Sequence, residues 1–178
     1  VIIPYMGGKF ELGRKLIPMM PDHKRYIEVF FGGGSIFFRK NKSDLNVLND
    51  KHNDLINMYL SVMKKYPEFI NSCESILKSR TLYTSFKEEL KEELNYTEMP
   101  NAERASKYFY IIKNAFNTNF INPIAKEAEW NSEMWNCLKT SKKKLENTMI
   151  ENLDFRELFN KYPTRKDDFW YLDPPYVI

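Results

Sequence analysis

At 178 residues the chain is long enough for one domain with a true hydrophobic core, or for a domain that carries an insertion. Its 27 lysines and arginines against 24 acids leave a formal charge of +3, a mildly basic balance that neither demands nor excludes a nucleic-acid partner. Two cysteines, Cys73 and Cys137, fit no metal-ligand spacing and are too few for a disulfide framework, and no apolar run is long enough to span a bilayer. A soluble, cytoplasmic protein without a metal is the expectation.

In chain order, the first apolar run is Tyr26-Ile-Glu-Val-Phe-Phe31, which reads as a buried parallel strand. Three glycines follow, Gly32 to Gly34, and a helix is expected to open near Ser35. Leu45-Asn-Val-Leu48 reads as a second strand, ending at Asn49-Asp50. From Asp54 to about Lys144 the character changes to helical periodicity without a convincing strand. Leu55, Ile56, Met58, Tyr59, Leu60 and Met63 recur at helical spacing. So do Phe69, Ile70, Cys73, Ile76 and Leu77, and Arg104–Phe116 forms a third strong pattern. Met149–Leu153 is a weaker strand candidate and Phe169-Trp-Tyr-Leu172 a strong one. Strands alternating with helices argue for an α/β domain on a parallel sheet, with the middle block inserted between two of its strands.

The order strand, glycines, helix, strand and acid is where the chemistry starts. Glycines let a backbone approach a ligand closely and tolerate positive φ. An acid at the tip of the second strand is where ribose hydroxyls are gripped, so Asp50 is the candidate. A flexible turn followed by a helix-capping acid is the plainer reading of the same residues. If a ligand binds, it contains adenosine, and the spacing alone does not say which one. Glu28, just before the glycines, would oppose a phosphate-bearing dinucleotide and suits a cofactor with a cationic centre, which favours S-adenosylmethionine.

Asp173-Pro174-Pro175-Tyr176 falls at the carboxyl end of the last strand, the edge where α/β proteins bind ligands. A carboxylate and a proline carbonyl facing one spot make two acceptors, matching the two N–H donors of an exocyclic amine. Tyr176 offers a flat face on which a base can stack. A rigid turn after an edge strand is the alternative.

With these segments in place, the chain resembles the Dam-type DNA adenine methyltransferases, the alpha group of the amino-methyltransferases. Pro4-Tyr5-Met6-Gly7-Gly8-Lys9 is similar to the family's opening motif, and Glu28–Ser35 to its cofactor loop. Asp50 matches its ribose acid, Ile150–Phe155 the strand lining the cofactor adenine, and Asp173–Tyr176 its catalytic tetrad. The resemblance covers essentially the whole chain, and DPPY and the glycine loop are its specific parts.

The resemblance implies an α/β, Rossmann-like, S-adenosylmethionine-dependent methyltransferase sheet, partial here, with a helical insertion domain. Residues 1–53 would begin the cofactor-binding domain, 54–144 would form the target-recognition insertion, and 145–178 would return to the catalytic domain. Tyr5 and Lys9 would lie at the methionine end of the cofactor, with Lys9 on its carboxylate. The loop holding Glu28, Phe30, Gly32 and Gly34 would wrap it, Asp50 would bind ribose, and Asp154 and Phe155 would flank the adenine. Asp173 and the Pro174 carbonyl would hold the target amine, with Asp173 also among the cofactor-binding residues, Pro175 stiffening the turn and Tyr176 stacking on an extruded base. The implied reaction is site-specific methylation of adenine N6 in double-stranded DNA, with a cognate restriction endonuclease left open as a partner.

The sequence departs from the family in two places. The family usually continues its recognition helix as Phe-Asn-Gly with an arginine shortly after; here Phe116-Asn117-Thr118-Asn119-Phe120-Ile121 has neither. Lys113, Asn114, Asn117 and Asn119 are the candidates for DNA contact, against a solvated helix face and turn, and Lys142–Lys144 read as a surface charge run. The chain also stops at Ile178, where the family's sheet continues, so a fragment with little activity of its own is expected. A catalytically inactive DNA-binding remnant is the competing reading. A nicotinamide-dependent oxidoreductase would rest on the glycine turn and Asp50 alone and would leave DPPY unexplained.

Overall fold

The computed structural model describes residues 10–116, 120, 122–125 and 129–175. A short helix, α1 (Phe10–Leu16), precedes β1 (Arg25–Glu28) and β2 (Leu45–Asn49). Five helices follow: α2 (Asn53–Lys64), α3 (Tyr66–Ser75), α4 (Arg80–Glu89), α5 (Ala102–Asn114) and α6 (Ser132–Leu145). The chain then returns through β3 (Thr148–Glu151), α7 (Phe155–Lys161) and β4 (Asp168–Tyr171). The four strands form one sheet in the order β3-β2-β1-β4, and every pairing is parallel. The architecture is therefore α/β with a parallel sheet, as the alternation of elements indicated.

Strand β1 is buried along its whole length, since helices and loops cover both faces of a parallel sheet. Its side chains alternate. Tyr26 enters a large apolar cluster with Phe37, Leu48, Leu55, Met58, Tyr59, Phe69, Tyr108 and Leu138. Ile27 and Val29 enter a smaller one with Val47 and Leu158 of α7. One face of the sheet thus shares a core with helices α2 to α6, and the other packs on α7. Side-chain caps define the helix starts: Ser79 accepts from the Leu82 amide, Asn101 from Arg104, and Asp154 closes a capping box with Glu157. Arg104 of α5 forms a two-point ion pair with Asp54 of α2, with Nε to Oδ1 at 2.6 Å, fixing those helices side by side.

Two expectations fail. No helix forms after Ser35; the segment 35–39 makes turns, with Phe38 N–H to Gly34 and Lys40 N–H to Ile36 the helix-like bonds. Phe37 instead anchors the turns, packing on Tyr26 and Phe31. Leu77 does not join the face of α3, which ends at Ser75; its side chain is exposed. Among the described residues no helix is long and apolar enough to cross a membrane.

Candidate active site

Parallel strands end on the same side, so the loops after β1, β2, β3 and β4 all emerge at one edge of the sheet. Glu28 is in register with Tyr171 and with Leu48, and Asn49 with Glu151. The ladder runs on past β1: the Val29 amide donates to the Tyr171 carbonyl (3.1 Å) and the Phe31 amide to the Asn49 carbonyl (2.8 Å). The glycine bend therefore starts beside the segment that carries Asp173. Glu28 and Asp173 are close enough for their charges to act on one another.

The bend itself is held in a conformation only glycine adopts readily. Gly32 and Gly34 have φ of +49° and +65°. A Cβ on Gly34 would come within 2.5 Å of the Phe31 ring and 2.8 Å of the Phe38 ring. The Asp50 carboxylate accepts from the Gly32 amide (2.8 Å) with one oxygen and from the His52 amide (3.0 Å) with the other. Asp50 is half-buried, and each oxygen keeps a lone pair for a hydroxyl donor.

Glu28 is 3% exposed and accepts from the Tyr26 hydroxyl at 2.7 Å. Burial pushes its carboxyl up to about 8, against the opposing pull of Tyr26, Lys40 and the Phe37 amide, with Asp173 adding to the rise. Lys40 is equally buried, its ammonium 4.3 Å from the Tyr26 ring centroid and bonded to the Asn41 carbonyl and Ser43 hydroxyl. Burial and Lys144 push it down to about 8.

On the other side of the bend, Phe30 and Phe155 face each other with ring centroids 5.9 Å apart, both half-buried. Asp154 serves the fold directly, because Oδ1 caps α7 through the Arg156 amide and Oδ2 pairs with Lys51 at 3.4 Å. The Arg156 amide bond, aided by Lys51 and the Arg156 guanidinium, holds its carboxyl below the usual range. Asp173 is half-buried and Pro174 and Pro175 are exposed at the same edge. Tyr5, Lys9, Tyr176, Asn117 and Asn119 lie outside the described residues.

The DNA-contact assignment of Asn114 is corrected. Asn114 is fully buried; its Nδ2 donates to the Tyr110 carbonyl (2.9 Å), and its Oδ1 has no partner among the described residues. An amide at 0% exposure reads no base edge. Lys113 is half-exposed, with its ammonium 5.5 Å from the Phe109 ring centroid. Lys144 is not purely a surface charge, since it donates to the Lys40 carbonyl and lies over Phe37.

Residues that the sequence did not single out complete the edge. The Asn49 side chain, 1% exposed, donates to the carbonyls of Val29 and Leu153 (3.0 Å each) and accepts from the Leu153 amide (2.9 Å). It ties the ends of β1, β2 and β3 together. Asn152 donates to the Asp50 carbonyl (2.9 Å), and Tyr59 to that of Gly32 (3.0 Å).

A parallel sheet with a left-handed glycine bend, an acid on the next strand tip and a DPP turn on the adjacent strand is the arrangement that the resemblance to the amino-methyltransferases implies. The chain belongs to the D12 class N6 adenine-specific DNA methyltransferase family, which matches residues 5–178. It is similar to the type II methyltransferase M.CviBI of Paramecium bursaria Chlorella virus NC1A, 26% identical over 98% of this chain and 68% of that protein. It is also similar to the DNA N-6-adenine-methyltransferase of Escherichia phage P1, 26% identical over 65% of this chain and 15% of the relative. The DNA adenine methylase of Salmonella typhi is again 26% identical, over 65% of this chain and 41% of its own length. The chain thus spans about two thirds of the first relative and less than half of the other two.

Proposed function

We propose that the protein transfers a methyl group from S-adenosylmethionine to the N6 amino group of adenine in double-stranded DNA. The observation that carries this reading is the placement of Asp173 and the glycine bend at one sheet edge, on adjacent parallel strands. The edge fits the cofactor: Asp50 has lone pairs left for ribose hydroxyls, and Phe30 and Phe155 offer apolar ring faces to an adenine. Lys9 and Tyr5 are assigned to its methionine end, and Asp154 to the rim beside Phe155. When bound, S-adenosylmethionine supplies an electrophilic methyl group.

The chain's own residues then act by position and charge. Asp173 and the Pro174 carbonyl accept the two N–H bonds of the target amine, orienting its lone pair and offsetting the positive charge that grows on nitrogen. Pro175 restricts the turn, and Tyr176 stacks on the base. The amine of a paired adenine lies inside the duplex, so the base must be extruded to reach this edge. The helical block 54–144 is assigned to target recognition, with Lys113, Asn117 and Asn119 as contacts. A DNA substrate puts the workplace wherever that DNA lies, which in a cell without a nucleus is the cytoplasm. The relatives named as a type II methyltransferase and as modification methylase StsI favour a cognate endonuclease as partner.

The test is transfer of labelled methyl from S-adenosylmethionine to adenine-containing duplexes by the full-length protein, followed by nucleoside analysis. N6-methyladenine is expected, and Asp173→Ala should reduce its formation by at least about a hundredfold. Labelled N4-methylcytosine alone, or label in RNA alone, overturns the substrate assignment.

A further inference from the structure

Gly32 sits in the left-handed region at φ +49°, and its peptide groups are bonded to side chains from two different directions. Its amide donates to Asp50 from the tip of β2 (2.8 Å). Its carbonyl accepts from the Tyr59 hydroxyl (3.0 Å), which comes from the second half of α2. Tyr59 is fully buried, and its ring packs against Phe31 and Phe38 with centroids 4.8 and 6.3 Å away. These are the two rings that close on Gly34. The same side chain thus wedges the aromatics beneath the bend and fixes the direction of its carbonyl. A buried carbonyl without this donor would have to rotate towards another one, and the amides beside it would turn with it.

We propose that Tyr59 is a positioning residue for the cofactor loop, setting from α2 the orientation of the Gly32–Gly34 backbone that receives S-adenosylmethionine. This rests on the cofactor reading above. Tyr59 belongs to the helical block, so α2 is not only a support for DNA recognition. It is also the far wall of the cofactor bend.

The experiment compares Tyr59→Phe, which keeps the ring and removes one hydroxyl, with Tyr83→Phe. Tyr83 donates to the Asn122 carbonyl (2.9 Å) within the helical block, so its loss removes a bond of the same kind away from the bend. S-adenosylmethionine affinity is measured by calorimetric titration, melting temperature by calorimetry, and amide exchange of Gly32–Gly34 in the ligand-free proteins. Tyr59→Phe is expected to raise the Kd about five- to tenfold and to speed exchange at the bend, whereas Tyr83→Phe lowers the melting temperature and leaves both unchanged. A Tyr59→Phe protein that loses melting temperature but binds the cofactor as tightly as the parent overturns the proposal. If the parent protein binds no S-adenosylmethionine, the cofactor reading fails. The exchange data then decide on their own whether Tyr59 holds the bend: unchanged protection at Gly32–Gly34 rejects it.

Discussion

Glu28 offers a test that requires no ligand. Its carboxyl is 3% exposed, and burial raises it from the ordinary 4.5 to about 8. The folded protein therefore binds a proton that the unfolded chain releases above pH 4.5, and stability falls as pH rises through that window. The steepest slope is about 1.4 kcal/mol per pH unit, so the ceiling on the loss by pH 7 is about 3 kcal/mol. Relaxation of the interior reduces that figure, and about 1.5–3 kcal/mol is the working range. Glu28→Gln keeps an oxygen for the Tyr26 hydroxyl but cannot ionise. Urea unfolding of both proteins at pH 5, 6, 7 and 8 should show them alike at pH 5, with the variant increasingly more stable above it. Lys40 works in the opposite sense: pushed down from 10.5 to about 8, it adds stability as pH rises between those values. The Glu28 charge holds Lys40 up, so its window opens slightly earlier in the variant, which adds to the variant's advantage towards pH 8 and leaves the comparison at pH 5 to 7 to Glu28 itself. Parallel stability curves from pH 5 to pH 8 would refute the reasoning, since a carboxyl at its ordinary value makes no difference there. A buried acid that costs stability at neutral pH is not what packing alone selects, and Glu28 lies just before the glycine bend.

Two further substitutions probe the frame. Gly34→Ala places a Cβ 2.5 Å from the Phe31 ring at φ +65°, adding left-handed strain of about 1–2 kcal/mol to overpacking of about 1–3 kcal/mol. Urea midpoints should fall accordingly, and a loss under about 0.5 kcal/mol would mean the bend is not built as described. Asp168→Ala strips the partner from buried Arg25, whose guanidinium grips the carboxylate at 2.5–2.7 Å. The expected loss is about 3 kcal/mol at pH 7. Arg25 holds the Asp168 carboxyl below the ordinary 3.8, so its contribution is present above that value and disappears as pH drops through the folded one. The two proteins should converge in acid, and an undiminished gap at pH 3 would contradict the pairing.

Strand β1 was legible because a parallel strand covered on both faces must be apolar throughout, and Tyr26–Phe31 reads that way. Strands β3 and β4 both lie at edges of the four-stranded sheet with Met149 and Leu172 exposed, so the difference in their signals lies in composition: Phe169-Trp-Tyr-Leu172 is apolar throughout, whereas Glu151 and Asn152 interrupt Met149–Leu153. The false helix after Ser35 came from the same apolar richness, since Ile36 and Phe37 are core residues of a turn rather than of a helix face. Asn114 was misassigned by residue type alone. Its spacing from Tyr110 and Ile111 puts it on the buried side of α5, and that periodicity outranks the polarity of an amide. Tyr59 was legible as core, but its hydroxyl asked a question the pattern could not answer. A tyrosine on an otherwise aliphatic stripe needs an acceptor, and the acceptor is remote in sequence.

The site's geometry follows from these long-range bonds more than from any one motif. A glycine run by itself is the most adaptable backbone a chain has, and it loses the most entropy on being ordered. Here the order is imposed from outside the run. Asp50 takes the Gly32 amide, Tyr59 takes its carbonyl, and Asn49 ties Val29, just upstream, to Leu153 at the exit of β3. Asn152 closes the ring by holding the Asp50 backbone. Every one of these partners belongs to a strand end or to α2, so the bend inherits its position from the sheet and the helical block. Motif and scaffold are therefore not separable: the glycines permit the conformation, and residues elsewhere in the chain select it.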